Sequence, residues 1–420
     1  MLKASSLFYA ITMSLLIGFL SAGLILFAYI NRTYILTSLS KNNVRINAES
    51  GMNILLTEND LFEKGDTVVR CLFEDGADSV RLIKKHWGAF DLGISEAFIR
   101  KECFKQVALI GTALDDSSKI SLYLADQNKA LSLCGKTVIQ GNCFLPKAGV
   151  KRAYIEGQTY IGDKLIYGTA KESNSSIPAI NKKMIEANKT YMNKQFSLDD
   201  SILYIHEQVV DDSITHSFND KTILIYSDHP IVMLSNKYAG NICIVSDSSV
   251  FIGAGTSLKD VLIYSRKIEI EKNFTGNFQA FAYDSITIGE NCKLTYPTIL
   301  GVIKLDKSAD VSIIEVRDKT EVAGVLFQYQ EVANYQQIVK LQIGNNAIVN
   351  GQVYSNGLVE IKGSVYGSVF CNEFTLATAS SVYGNHLLNA TIDFNRLSEN
   401  FVGVNLISQS NFRQIAKWLN

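Results

Sequence analysis

Residues 360–385 read EIKGSVYGSVFCNEFTLATASSVYGN, and the tetrapeptide SVYG at 364–367 returns letter for letter at 381–384. Val349-Asn350-Gly351 precedes Val365-Tyr366-Gly367 at nearly the same spacing. The same beat extends upstream. Val250-x-Ile252, Ile268-x-Ile270 and Ile286-x-Ile288 follow one another at intervals of 18, as do Leu341-x-Ile343 and Val359-x-Ile361. Self-similarity at a short period, here about 16–18 residues per coil, is the mark of a stacked repeat. About eighteen residues supply three short strands and three corners per coil, each strand alternating apolar-in and polar-out. Each coil would then set its Val and Ile on the same position of the next, so that neighbours bury one another's core. Glycine and asparagine at the corners supply the positive-φ backbone that turning needs. The expected fold is therefore mainly β, with a parallel β-helix (solenoid) over 206–395, about eight to ten coils of which fit between 220 and 392. Gly351, Gly367 and Gly384 are its expected corner residues.

Composition agrees with a β-rich chain. The 420 residues include 4 prolines, 28 glycines, 19 tyrosines and 21 phenylalanines. Lys+Arg number 40 against 41 Asp+Glu, which leaves no electrostatic footprint for nucleic acid. Seven cysteines are scattered without a CxxC pair, a poor disulfide or zinc framework. Cys134 and Cys143 are the one pair close enough in sequence for a local bridge in an exported domain.

From Ala4 to Ile30 the sequence ASSLFYAITMSLLIGFLSAGLILFAYI carries no charge. As a helix it would span about 40 Å, enough to cross a bilayer with some tilt. The run ends in Tyr29-Ile30-Asn31-Arg32 without a small-x-small exit site, which favours a retained anchor (1–32) over a cleaved signal. The short amino-terminal tail favours a cytoplasmic N-terminus, with the rest exported across a bacterial inner membrane. Gly18, Ala22 and Gly23 are small residues that would let a partner helix approach closely. The following stretch has no proline, and Ile35, Leu39, Val44, Ile46, Met52, Leu55 and Leu56 fall at roughly helical intervals. The membrane helix is expected to continue as a stalk over 33–57.

Beyond it lie a β-rich head at 58–169, where first coils can begin from 134, and a polar linker at 170–205 with a short helix around Asn181–Met192. In the tail, Leu406, Ile407, Phe412, Ile415, Trp418 and Leu419 suggest a helical cap over 396–420.

A long helix, half in the bilayer and half outside, that then carries a β-rich head resembles the pilin architecture. The segment NAESGMNILL (47–56) is similar to the signature after the membrane helix in minor pilins of type IV pili and K-type minor pseudopilins of type II secretion. The resemblance covers residues 1–57 and implies assembly with other pilin-like subunits through this helix, with Glu49 and Gly51 as the matching positions. Ala4-Ser5 would be the processing site, and Tyr9 would stand where processed pilins carry a glutamate. The segment 346–385 resembles the bactofilins, β-helical cytoskeletal proteins with the same Val-x-Gly-x-Val beat, which implies the fold.

No GxSxG, HExxH or Walker-type loop occurs, and the five histidines (His86, His206, His216, His229 and His386) show no metal-ligand spacing. No catalytic, cofactor-binding or metal residue is therefore expected. The rival reading is an anchored β-helix that binds or cleaves polysaccharide, which would need paired carboxylates beside a base. Its candidate acids are Asp260 beside Lys259, then Asp284, and Asp310 with Glu315.

Overall fold

The computed structural model describes residues 2–58, 67–72, 78–114, 119–196, 200–204, 213–304, 311–331, 339–407 and 412–419. The candidate residues Asp310 and His206 lie outside these. The chain divides into two compact units, residues 1–84 with 94–106, and residues 85–93 with 107–420.

In the first unit, α1 (Leu2–Thr57) is one uninterrupted helix. It is long and apolar enough to cross a membrane. Its first part leaves Leu7, Phe8, Phe19, Leu24 and Phe27 exposed. In its last part Val44, Ala48, Met52 and Leu55 are buried, a spacing of four, four and three that forms one helical face. The strand Thr67–Arg70 pairs antiparallel with Val80–Ile83 in the same unit.

The second unit is built of strands paired in parallel, each with the strand one circuit away. The apolar beat of the sequence is the register. Val250-x-Ile252 pairs with Ile268-x-Ile270, which pairs with Ile286-x-Ile288. That column continues through Ile314/Val316 and Leu341/Ile343 to Val359/Ile361, all buried. A second column runs Ile225, Ile244, Ile263, Ala280, Leu300, Leu326, Val353, Val369. The circuits are unequal: the one from Gly324 to its partner Gly351 is much longer than the one from Gly351 to its partner Gly367. The registered strands on either side stay paired despite the difference in circuit length.

The circuits do not stack in chain order. After Val369, the second column continues with Leu122 and then Cys143. The strand Ala170–Glu172 lies beyond, paired with Cys143–Leu145. The early coils expected from 134 therefore sit on the C-terminal end of the stack. The segment 170–205 is more than a linker, since it contributes that strand, helix α2 (Lys182–Met192, with Asn181 as N-cap) and the strand Ser201–Tyr204. One face of α2 is buried through Met184, Ile185, Asn188 and Met192.

Two further expectations are corrected. The tail is not a helical cap: Arg413–Leu419 is a strand, antiparallel to Val107–Thr112. A short apolar run cannot be assigned to helix or strand by spacing alone, and here an open strand edge satisfies its backbone. The second SVYG copy is not a coil corner either. Val382–Gly384 folds back antiparallel on Thr375–Ala377, and Gly384 is exposed with ordinary φ.

Gly351 and Gly367 lie inside the strands Ile348–Ile361 and Ser364–Ala377, both at positive φ. With Gly324 they form a ladder at φ +150, +150 and +148 for Gly324, Gly351 and Gly367. A Cβ on each would fall on the carbonyl oxygen of the residue below it, Thr298, Gly324 and Gly351 in turn. By contrast, Gly149, at φ +72, has open space where its Cβ would be. Gly149→Ala should therefore cost only the backbone strain, about 1 kcal/mol. Gly367→Ala adds a main-chain clash and should cost about 3 kcal/mol or more. Thermal unfolding of the two variants checks this, and equal losses would mean that the ladder contact does not set the cost.

Candidate functional site

The small residues of α1 lie in its exposed first part. Gly18, Ala22 and Gly23 are exposed, and a Cβ at Gly18 or Gly23 would meet nothing within 4 Å. Large exposed apolar side chains such as Leu15, Phe19 and Leu26 flank them. Glu49 is exposed and makes an i,i+4 ion pair with Arg45 at 3.3 Å, so its charge is answered on its own helix. Gly51 is buried, and a Cβ there would meet Ser95 Oγ, Val80 Cγ1 at 2.6 Å and Leu82 Cδ2 at 2.8 Å. Gly51 is where the helix backbone lies directly on its sheet. One turn earlier, the buried Asn47 donates from Nδ2 to Asp78 Oδ2. This polar pair fixes the helix against sliding, because a slipped register would strand both groups without partners.

Cys134 and Cys143 are free, buried thiols. Cys143 faces the main core, while Cys134 belongs to a separate cluster with Ile155 and Leu376, so the expected bridge does not form. Burial pushes the Cys143 thiol up to about 12, which leaves it protonated and inert.

Among the described residues, the candidate acids Asp260, Asp284 and Glu315 are each tied to cations. Asp260 holds Lys417 at 2.6 and 2.8 Å. Asp284 accepts from Arg266 at 3.0 Å and from the buried Lys304 at 2.9 Å. Glu315 pairs with Arg317 at 3.5 Å. Sequence reasoning missed Glu360, whose side chain is fully buried. It takes Lys340, Lys362 at 3.0 Å, Gln342 Nε2 at 3.0 Å and the Ala377 N–H at 3.0 Å. The signal was present, because Arg266 and Asp284 stand one full period apart, as do Gln342 and Glu360. The beat read from the apolar positions also stacks the charges. Among the described residues, no group of three His, Cys, Asp or Glu could hold a metal ion.

No protein-family model matches this sequence, and no curated protein matches it. Among solved structures, the competence-associated pilin ComZ from Thermus thermophilus aligns at a TM-score of 0.20 and 10% identity. That alignment covers 91% of this chain and 98% of that one. At that score the two folds do not superpose.

Glu360 generates a pH prediction. Burial alone would raise its pKa, but the bonds from Lys340, Ala377 N–H and Lys362 outweigh it and hold the carboxyl below the usual range. A lowered folded pKa stabilises the fold above the unfolded value, about 4.3, and that contribution is lost as pH falls further. Glu360→Gln should cost about 2 kcal/mol at neutral pH, since it leaves two cations unanswered. The deficit relative to wild type should shrink as pH drops below about 4.3. Denaturant titrations at pH 7 and pH 3.5 check it, and a deficit that does not change with pH would contradict the assignment.

Proposed function

We propose that this chain is a minor-pilin-like subunit of a bacterial envelope assembly, of the type IV pilus or type II secretion kind. The carrying observation is the division of α1. Its first part is apolar and exposed, while its last part is buried along one face and seated at Gly51 on antiparallel strands. A helix so divided can be at once a single-pass anchor in the inner membrane and a bundle element that joins neighbouring pilin-like subunits. Without a hydrophobic drive between helices in lipid, close backbone approach decides association, and Gly18, Ala22 and Gly23 supply it. The parallel stack is then an exported β-helical scaffold of the bactofilin-like kind, working by contact in the periplasm or at the cell surface. We read it as non-catalytic because the candidate acids Asp260, Asp284 and Glu315 are each tied to cations instead of paired with one another. That same feature weighs against cleavage of polysaccharide by an acid pair.

The test is cross-linking in native membranes. Ala22→Cys should give a cross-linked species with other single-pass subunits, and Gly18→Leu combined with Gly23→Leu should abolish it while leaving the protein membrane-bound. Mature protein beginning at Ser5 would add pilin-type processing. A cysteine at position 22 that captures no subunit would sink the assembly reading.

A further inference from the structure

We propose that the closing end of the parallel stack, built by residues 119–172, is a docking surface for an anionic polysaccharide, a chain of uronate-type sugars. Its last strands are Val150–Arg152, paired with Leu131–Leu133, and Ala170–Glu172, paired with Cys143–Leu145. Among the described residues each is paired along one edge only, so the other edge turns main-chain donors and acceptors to solvent. All of Ala170–Glu172 is exposed, as are Lys151 and Arg152. Positive charge collects at this same end. Residues 119–172 hold eight Lys and Arg against four Asp and Glu, in a chain that carries 40 against 41 overall. Lys129 pairs with Glu373 at 3.4 Å. Among the described residues, the exposed Lys136, Lys147, Lys151, Lys164 and Lys171 form no ion pair.

Arg152 is oriented without being neutralised. Its Nη2 donates to the carbonyls of Gly162 and Asp163 at 3.3 and 3.4 Å, and its guanidinium lies 5.7 Å over the Tyr160 ring. Lys171 stands in the same way 5.9 Å over Phe144. The acids of this end do not remove the surplus, since Asp126 accepts from the main-chain N–H groups of Asn128 and Lys147 at 2.8 and 3.4 Å. Lysine on an edge strand guards against strand pairing, which accounts for Lys151 and Lys171. Lys136, Lys147 and Lys164 lie off those strands, and no such rule covers them. The cations are spread over the end of the stack instead of gathered in a pocket, so a polymer with a repeated charge fits them better than a single small anion. Exposed Tyr154 and Tyr167 offer ring faces on which the C–H face of a sugar can lie, and the open strand edges suit its hydroxyls.

The test is calorimetric titration of the full chain, held in nanodiscs of zwitterionic lipid, with polygalacturonate and with neutral dextran as control. Polygalacturonate should bind and dextran should not. Raising the ionic strength from about 0.05 M to about 0.3 M should weaken binding tenfold or more. Lys151→Gln, Lys164→Gln and Lys171→Gln combined should weaken it by about tenfold, with melting like wild type. Lys237→Gln, Lys272→Gln and Lys293→Gln combined remove three exposed lysines from other layers and should leave binding unchanged. If the first triple variant fails to fold, its single substitutions carry the decision, each weakening binding by about twofold. Equal losses from the two triple variants, dextran binding equal to polygalacturonate, or no binding of either polymer would each overturn the proposal. So would tighter binding of a DNA duplex or of phosphatidylglycerol vesicles than of polygalacturonate.

Discussion

Everything in the second unit depends on main chains lying in register at a separation that admits no side chain at the turning points. At Gly324, Gly351 and Gly367 the backbone takes a conformation open mainly to glycine, with the carbonyl below where a Cβ would be. That contact sets how each circuit lands on the next. Once the landing is fixed, Val349 meets Val365 and Val353 meets Val369 without further specification. A slip of one residue would turn every apolar side chain to the outside. The ladder and the apolar columns therefore enforce one another.

The same registration explains why charges can be carried in a stack with an apolar core. Asp284 and Glu360 are buried, yet each meets partners delivered from neighbouring circuits. Desolvation is offset only because the ligating groups arrive in fixed positions. In a buried network of this sort the loss of any one partner strands the others, so mispaired circuits are penalised.

Much of this was legible in the sequence. The Val-x-Ile and Ile-x-Ile pairs at intervals of 18 are the true register, because a stacked column cannot be built without repeating its own spacing. The continuous helix to Thr57 followed from an uncharged run and the absence of proline. What could not be read was where non-repeating segments dock. The second SVYG copy has the letters of a coil strand but turns back as a hairpin, since nothing local says which neighbour its hydrogen bonds will find. Leu406 to Leu419 carry apolar residues that fit either period, and the free edge of Val107–Thr112 decided between them.

Stacking out of chain order has a consequence for how the molecule is made. Leu122 pairs with Val369, so the strand at 120–124 emerges long before the surface it must settle on. During synthesis from the amino end, this strand and the one at Asn142–Leu145 remain without their template until nearly the whole chain exists. Ser201–Tyr204, at the opposite end, starts a run in which each new circuit finds the previous one already present. Assembly is thus progressive over most of the stack and deferred at its final layers. Closure of the loop between Leu122 and Val369 is a late, long-range event of the slow kind. Until it happens, the last circuit keeps an open edge, and the first strands of the stack to leave the ribosome are the last to become native.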